Sequence, residues 1–126
     1  MDHLWSPWRY QYVQSKKTGG ECIFCCAAQS ERDDENFIVY RARRNYVILN
    51  LYPYSTGHLM VVPYEHVDTL QAASRETLEE MILLVQESQR HLGEIYRPPG
   101  SNLGMNLGES AGAGIAEHIH MHVLPR

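Results

Sequence analysis

Three histidines alternate with apolar residues in His118-Ile119-His120-Met121-His122-Val123-Leu124. Successive side chains of a β-strand point to opposite faces. His118, His120 and His122 are therefore expected on one face, looking into a site or at solvent, and Ile119, Met121 and Val123 on the other, packed on a core. A helix would scatter the same residues around its circumference. Next-but-one residues of a strand lie about 6.5–7 Å apart, which suits either one metal ion or one nucleophile with flanking donors. A neutral imidazole attacks phosphorus well, and a second imidazole with nearby amides can stabilise charge and protonate a leaving oxygen.

The segment before the histidines fits an anion. Leu103-Gly104-Met105-Asn106-Leu107-Gly108 runs into Ser110-Ala111-Gly112-Ala113-Gly114. Glycines let backbone N–H groups approach a phosphate closely, and successive amides form an anion nest.

Cys22, Cys25 and Cys26 form an odd, tight group, a poor disulfide framework. Reduced thiols in a cytoplasmic protein fit better, and residues 1–13 carry Asp2, His3, Trp5, Pro7 and Arg9 with none of the apolar stretch of a secretory signal. Cys22-x-x-Cys25 has the spacing of a zinc knuckle, and structural zinc wants four ligands. His66 and His118 could complete the set.

The elements that must position these groups read as follows. Residues 4–14, rich in Trp and Tyr, are expected to form a short helix that lays its rings on the body of the protein. Phe37-Ile38-Val39-Tyr40 and Tyr46-Val47-Ile48-Leu49 have strand character, with a hairpin at Arg43-Arg44-Asn45. Arg41, Arg43 and Arg44 read as a solvated turn. His58-Leu59-Met60-Val61-Val62 is a third strand, stopped by Pro63. Residues 74–96 form the clearest helix, with Ser74 as N-cap and an apolar face of Leu78, Met81, Ile82, Val85, Ser88, Gln89, Leu92 and Ile95. Residues 102–107 are a short strand and residues 115–125 a last one. Strands, one long helix, then more strands predict an α+β fold: an antiparallel sheet of about five strands, one long helix and a short N-terminal helix.

A chain of 126 residues holds one ordinary domain, and its 44% apolar and 21% charged residues argue against disorder. No apolar run approaches the ~18 residues of a membrane helix, so no membrane partner is expected. Eleven basic against 15 acidic residues give a net charge of −4. No basic stripe exists, which excludes nucleic acid as a partner but leaves a small anion.

His118-Ile119-His120-Met121-His122-Val123-Leu124 resembles the signature of the histidine triad (HIT) superfamily. The family's earlier half-motif is similar to Leu49-Asn50-Leu51-Tyr52-Pro53-Tyr54-Ser55-Thr56-Gly57-His58-Leu59-Met60-Val61-Val62-Pro63. Within the family, Leu4-Trp5-Ser6-Pro7-Trp8-Arg9, Tyr52-Pro53-Tyr54 and Asn102-Leu103-Gly104-Met105-Asn106-Leu107-Gly108 with Ala111-Gly112 resemble the bacterial branch that includes diadenosine tetraphosphate phosphorylases. The resemblance covers nearly the whole chain, read as a single domain over residues 1–126. It implies a HIT-like fold and a homodimer. It also implies chemistry at the α-phosphate of a dinucleoside polyphosphate or related purine nucleotide, through a nucleotidyl-histidine. His120 would be the nucleophile. His122 would contact the phosphate and aid the leaving group, and His118 would order the site or bind metal. Asn50 would meet the ribose, and His58 would buttress the site. Asn106 and the backbone of Gly112, Gly114 and Ile115 would hold phosphate. Apolar residues near Phe37 and Leu49 would wall the base.

Zinc-bearing relatives take two further ligands from a histidine shortly after the Val-Pro of the first motif and from the first triad histidine, which implies a structural zinc on Cys22, Cys25, His66 and His118. Magnesium would come with the substrate. Family members usually continue beyond Pro-Arg, so the family's C-terminal tail is expected to be absent after Arg126. Two other readings remain open on the residues: a hydrolase with the three histidines on a catalytic zinc and Glu109 or Glu117 as base, and a purine nucleotide sensor without turnover.

Overall fold

Short β-branched and aromatic runs, each bounded by turn residues, form a sheet that is covered on both sides. The computed structural model describes residues 22–50, 57–112 and 115–126; the helix expected over residues 4–14 lies outside them. In chain order the elements are α1 (Ile23–Gln29), β1 (Ile38–Arg41), β2 (Asn45–Leu49), β3 (Leu59–Pro63), α2 (Arg75–Tyr96), β4 (Ser101–Gly104), a 3-10 turn (Glu109–Ala111) and β5 (Met121–Pro125). The strands lie in the order β1-β2-β3-β5-β4, and every neighbouring pair is antiparallel. This is the expected α+β architecture of five antiparallel strands with one long and one short helix.

Alternation along the middle strands sorts their side chains into two buried groups. Val47, Leu59, Val61, Ile119 and Val123 pack with Met81, Val85 and Leu92 of α2. Tyr46, Ile48, Met60 and Val62 pack with Phe24 and Ala27 of α1. Burial on both faces explains why β2 and β3 read as nearly continuous apolar runs. The register sets Met60 opposite His122, so the alternate histidines fall on the side of the sheet that α1 covers.

Three local expectations are corrected. The last strand begins at Met121, and residues 115–118 form bends and turns before it. The apolar face of α2 is narrower than its sequence suggests: Thr77, Met81, Val85, Ser88 and Leu92 are buried, whereas Ile82 and Ile95 are exposed. A helix of this length touches the sheet along only one stripe, so the edges of a wide apolar face stay outside. Arg41 is not in a solvated turn. Its guanidinium donates to the carbonyls of Ala27, Ala28 and Ser30 at the end of α1 and to both carboxylate oxygens of Asp33. It satisfies carbonyls that a helix end leaves without partners and ties α1 to β1. The Arg43 and Arg44 amides donate to Glu80 of α2.

Helix α2 starts where the sequence places it. The Ser74 hydroxyl accepts from the Thr77 N–H at 3.2 Å, and Glu65 accepts from the hydroxyls of Ser74 and Thr77. The Thr77 and then the Ser74 hydroxyl hold the Glu65 carboxyl below its usual range. A carboxylate depressed in the folded state contributes stability above its unfolded pKa and loses it as pH falls through the folded value. Ser74→Ala is expected to cost about 1 kcal/mol at neutral pH, and the deficit should narrow toward acid pH; denaturant melts at a series of pH values check both.

Candidate active site

The site forms where β2 ends, β3 begins and β5 inserts beside β3. Asn50 follows β2 and donates its backbone N–H to the carbonyl of His58, at 3.0 Å. Gly57 precedes His58 with φ of +85°, and a Cβ there would lie 2.9 Å from Cε2 of Tyr96 and 3.1 Å from Cδ2 of Leu92. Only glycine brings the chain into β3 this close to α2. On the other flank of His122 the β4 partner is Gly104, where an added Cβ would meet nothing within 4 Å.

The three alternating histidines are all buried, rather than facing solvent. His120 and His122 pack edge to face with centroids 5.0 Å apart. His118 turns instead toward the cysteines.

Hydrogen bonds assign the protons. The Asn50 Nδ2–H can only donate, and it lies 3.2 Å from His58 Nδ1. His58 therefore carries its proton on Nε2 and donates to His122 Nδ1, at 2.8 Å. His122 in turn is protonated at Nε2, which makes that nitrogen a donor. For His120, Nδ1–H donates to the His118 carbonyl at 2.9 Å, so the neutral ring keeps its lone pair on Nε2. The pair thus offers one nucleophilic nitrogen and one N–H donor from adjacent rings.

His118 is fixed by a third backbone bond: its Nε2–H donates to the Pro63 carbonyl at 2.8 Å, which leaves Nδ1 as a ligand atom. Four such atoms converge. His118 Nδ1 is 3.2 Å from His66 Nδ1, 3.3 Å from Cys22 Sγ and 3.6 Å from Cys25 Sγ, and Cys25 Sγ is 3.3 Å from His66 Nδ1. Tetrahedral zinc, with bonds of about 2.0–2.1 Å to nitrogen and about 2.3 Å to sulfur, sets its ligand atoms about 3.3–3.8 Å apart. These four separations lie close to that spacing, all the ligand atoms fall within 4.8 Å of one another, and the cluster could bind zinc. It is the one group of metal-ligating side chains found among the described residues. Without metal, burial and then the neighbouring Cys22 push the Cys25 thiol up to about 11. Burial likewise lowers the His118 imidazole below its usual value. Neither shift favours charge, so the metal-free cluster is neutral at these two groups. A zincate of all three triad histidines is not what the geometry offers, because His118 and His122 are aimed at different partners.

Of the expected phosphate-binding residues, Asn106 and Gly112 lie in the connection between β4 and β5, Gly112 with φ of +93°. Ile115 packs against the buried group around Phe24. Gly114 lies outside the described residues. Phe37 and Leu49, expected to wall the base, are partly exposed and joined by the Leu49 N–H bond to the Phe37 carbonyl at 2.8 Å. One neighbour of the site was not singled out from sequence. Phe24 could have been found from its position between two metal-ligating cysteines. No helix among the described residues is long and apolar enough to cross a membrane.

Comparison with known proteins agrees with this geometry. The HIT domain family matches residues 31–126. A protein of Mycobacterium tuberculosis named AP-4-A phosphorylase is 38% identical over 133 residues, spanning 100% of this chain and 68% of its own length. A Zn-bound histidine triad family protein from Mycobacterium smegmatis superposes with a TM-score of 0.71 at 28% identity, over 85% of this chain and 76% of its own. A member of the HIT family from Bacillus subtilis gives a TM-score of 0.74 at 29% identity, over 84% of this chain and 73% of its own. With its alternating histidines on a five-stranded antiparallel sheet, and with these relatives, the chain belongs to the HIT family of nucleotide-processing proteins.

Proposed function

We propose that this protein transfers a nucleotidyl group from a dinucleoside polyphosphate, in the manner of a diadenosine tetraphosphate phosphorylase. The observation that carries the reading is the pairing of His120, with a lone pair on Nε2, and His122, with a proton on Nε2, set by the chain Asn50–His58–His122 and by the His118 carbonyl. His120 Nε2 attacks the α-phosphorus, an N–P bond forms, and the bond from phosphorus to the bridging oxygen breaks. The His122 Nε2–H donates a hydrogen bond to that oxygen, which departs as part of an ionised polyphosphate, and His122 keeps its proton. Orthophosphate, or water in a hydrolase, then attacks phosphorus, and the N–P bond breaks to restore His120. The full-length match to a relative named AP-4-A phosphorylase supports orthophosphate as acceptor.

Asn50 would also meet the ribose hydroxyls. Asn106 and the backbone of Gly112, Gly114 and Ile115 would hold phosphate oxygens. Magnesium would arrive with the polyphosphate, and we assign it no residue of this chain. The single domain read over residues 1–126, and a cytoplasmic location suited to reduced cysteines and soluble nucleotides, belong to the same reading.

We expect diadenosine tetraphosphate to yield ADP and ATP only when orthophosphate is present. His120→Ala should lower turnover about a thousandfold or more while nucleotide binding persists. Chromatography of products and equilibrium binding check both. AMP and ATP without orthophosphate would replace phosphorolysis by hydrolysis, and undiminished turnover in His120→Ala would overturn the nucleophile assignment.

Zinc on Cys22, Cys25, His66 and His118 would be structural, tying α1 to the ends of β3 and β5, with all four positions filled by protein. Binding must displace the Cys25 thiol proton, so affinity should rise with pH and metal loading should release acid. Titration calorimetry in buffers of different ionisation enthalpy measures the protons released. Stripping the metal should lower the melting temperature, and an unchanged melt after confirmed metal loss would remove the structural role.

The homodimer is also part of this reading. Its support is Leu103 on edge strand β4 and Ile95 and Tyr96 at the end of α2, apolar side chains left exposed. Sedimentation velocity should return the mass of two chains at micromolar concentration; a single-chain mass there argues against it.

A further inference from the structure

We infer that Phe24 is a positioning residue for His120, and that it links the metal cluster to the nucleophile; this rests on the function proposed above. The Phe24 side chain is buried, and its ring centroid lies 4.8 Å from that of His120 and 5.5 Å from that of His118. His122 stands against another part of the His120 ring, at 5.0 Å. One hydrogen bond, from Nδ1–H to the His118 carbonyl, fixes which nitrogen of His120 is protonated. It does not fix the ring, which can still pivot about that contact. Phe24 and His122 both pack against the ring and limit that pivot.

Phe24 is itself held from three directions. Cys22 and Cys25, on either side of it in sequence, place their sulfurs 3.3 and 3.6 Å from His118 Nδ1. Its carbonyl accepts from the Tyr46 hydroxyl at 2.7 Å. Arg41 ties the far end of α1 to β1. The cysteines are ligands in the proposed zinc site, so the metal would set the depth at which Phe24 presses on His120. The metal then acts on the nucleophile through an aromatic side chain without touching substrate. A small displacement of a nucleophile is enough to matter, since misplacement by about 1 Å can cost about a hundredfold in rate.

The test compares Phe24→Leu with Val85→Ala, a cavity in the buried group on the opposite face of the sheet. Phe24→Leu should keep its zinc content. Its kcat should fall about tenfold to a hundredfold with KM within about twofold. Isotope-labelled imidazole spectra, recorded without substrate, should show the His120 ring signals shifted and broadened as the ring gains freedom, with its Nδ1–H kept. Val85→Ala should lose thermal stability and keep both properties. Zinc-stripped wild type should move the His120 signals in the same direction as Phe24→Leu, and stripping the variant should add little. An unchanged His120 spectrum in Phe24→Leu, or an equal change in Val85→Ala, would overturn the inference. Should Phe24→Leu fail to fold, Phe24→Met, apolar and flexible, takes its place with the same readings. The spectra need no turnover, so failure here is distinct from failure of the nucleotide reaction, which His120→Ala decides.

Discussion

The bond from His118 Nε2–H to the Pro63 carbonyl is the contact on which both halves of the site depend. It turns one ring nitrogen toward a main-chain acceptor at the end of β3 and leaves the other aimed at His66 and the two cysteines. Its backbone meanwhile offers a carbonyl to His120. A single residue thus offers a ligand atom to the cluster by its side chain and selects the His120 tautomer by its main chain. Buried polar groups are costly unless paired, and every ring in this cluster has a named partner. The polar interior is therefore ordered rather than merely tolerated.

The sheet makes that order possible by separating two kinds of packing. On one side α2 closes an apolar layer with Met81, Val85 and Leu92. On the other a helix of seven residues, too short to be stable alone, covers a layer that contains the imidazoles. Helix α1 is held by bonds at its two ends, Arg41 at one and the cysteine–histidine cluster at the other. Apolar burial stabilises the body, and specific contacts place the catalytic candidates.

Much of this was legible in the residues themselves. Alternation in residues 118–124 assigned the faces of the last strand, since Ile119 and Val123 do enter the α2 layer while His122 faces α1. Ser74 marked the start of α2 because its hydroxyl replaces a missing backbone acceptor. Cys22-x-x-Cys25 gave half of the metal cluster, and His66 and His118 join it in space as the family resemblance implied. What escaped was set by tertiary contacts. The helix around the cysteines has no strong periodic signal in seven residues and forms because Arg41 and the cluster hold it. The start of β5 depends on where its pairing with β3 ends, at Val61 opposite Met121. The extent of the buried stripe on α2 depends on the shape of the sheet beneath it. Arg41 sits beside two other arginines, and only the position of Asp33 distinguishes it.

One consequence follows from strand order. β5 is the last of the described strands in sequence, yet it occupies an interior place between β3 and β4. Until its residues have left the ribosome, β3 shows an open edge and β4 has no neighbour to pair with. The same late segment brings His118, His120 and His122. A nascent chain therefore holds its earlier cysteines and His66 without their fourth companion and lacks the proposed nucleophile. Closing the sheet, completing the cysteine–histidine cluster and setting His120 beside His122 are one event in assembly, and a partly made chain exposes an unpaired edge before that site exists.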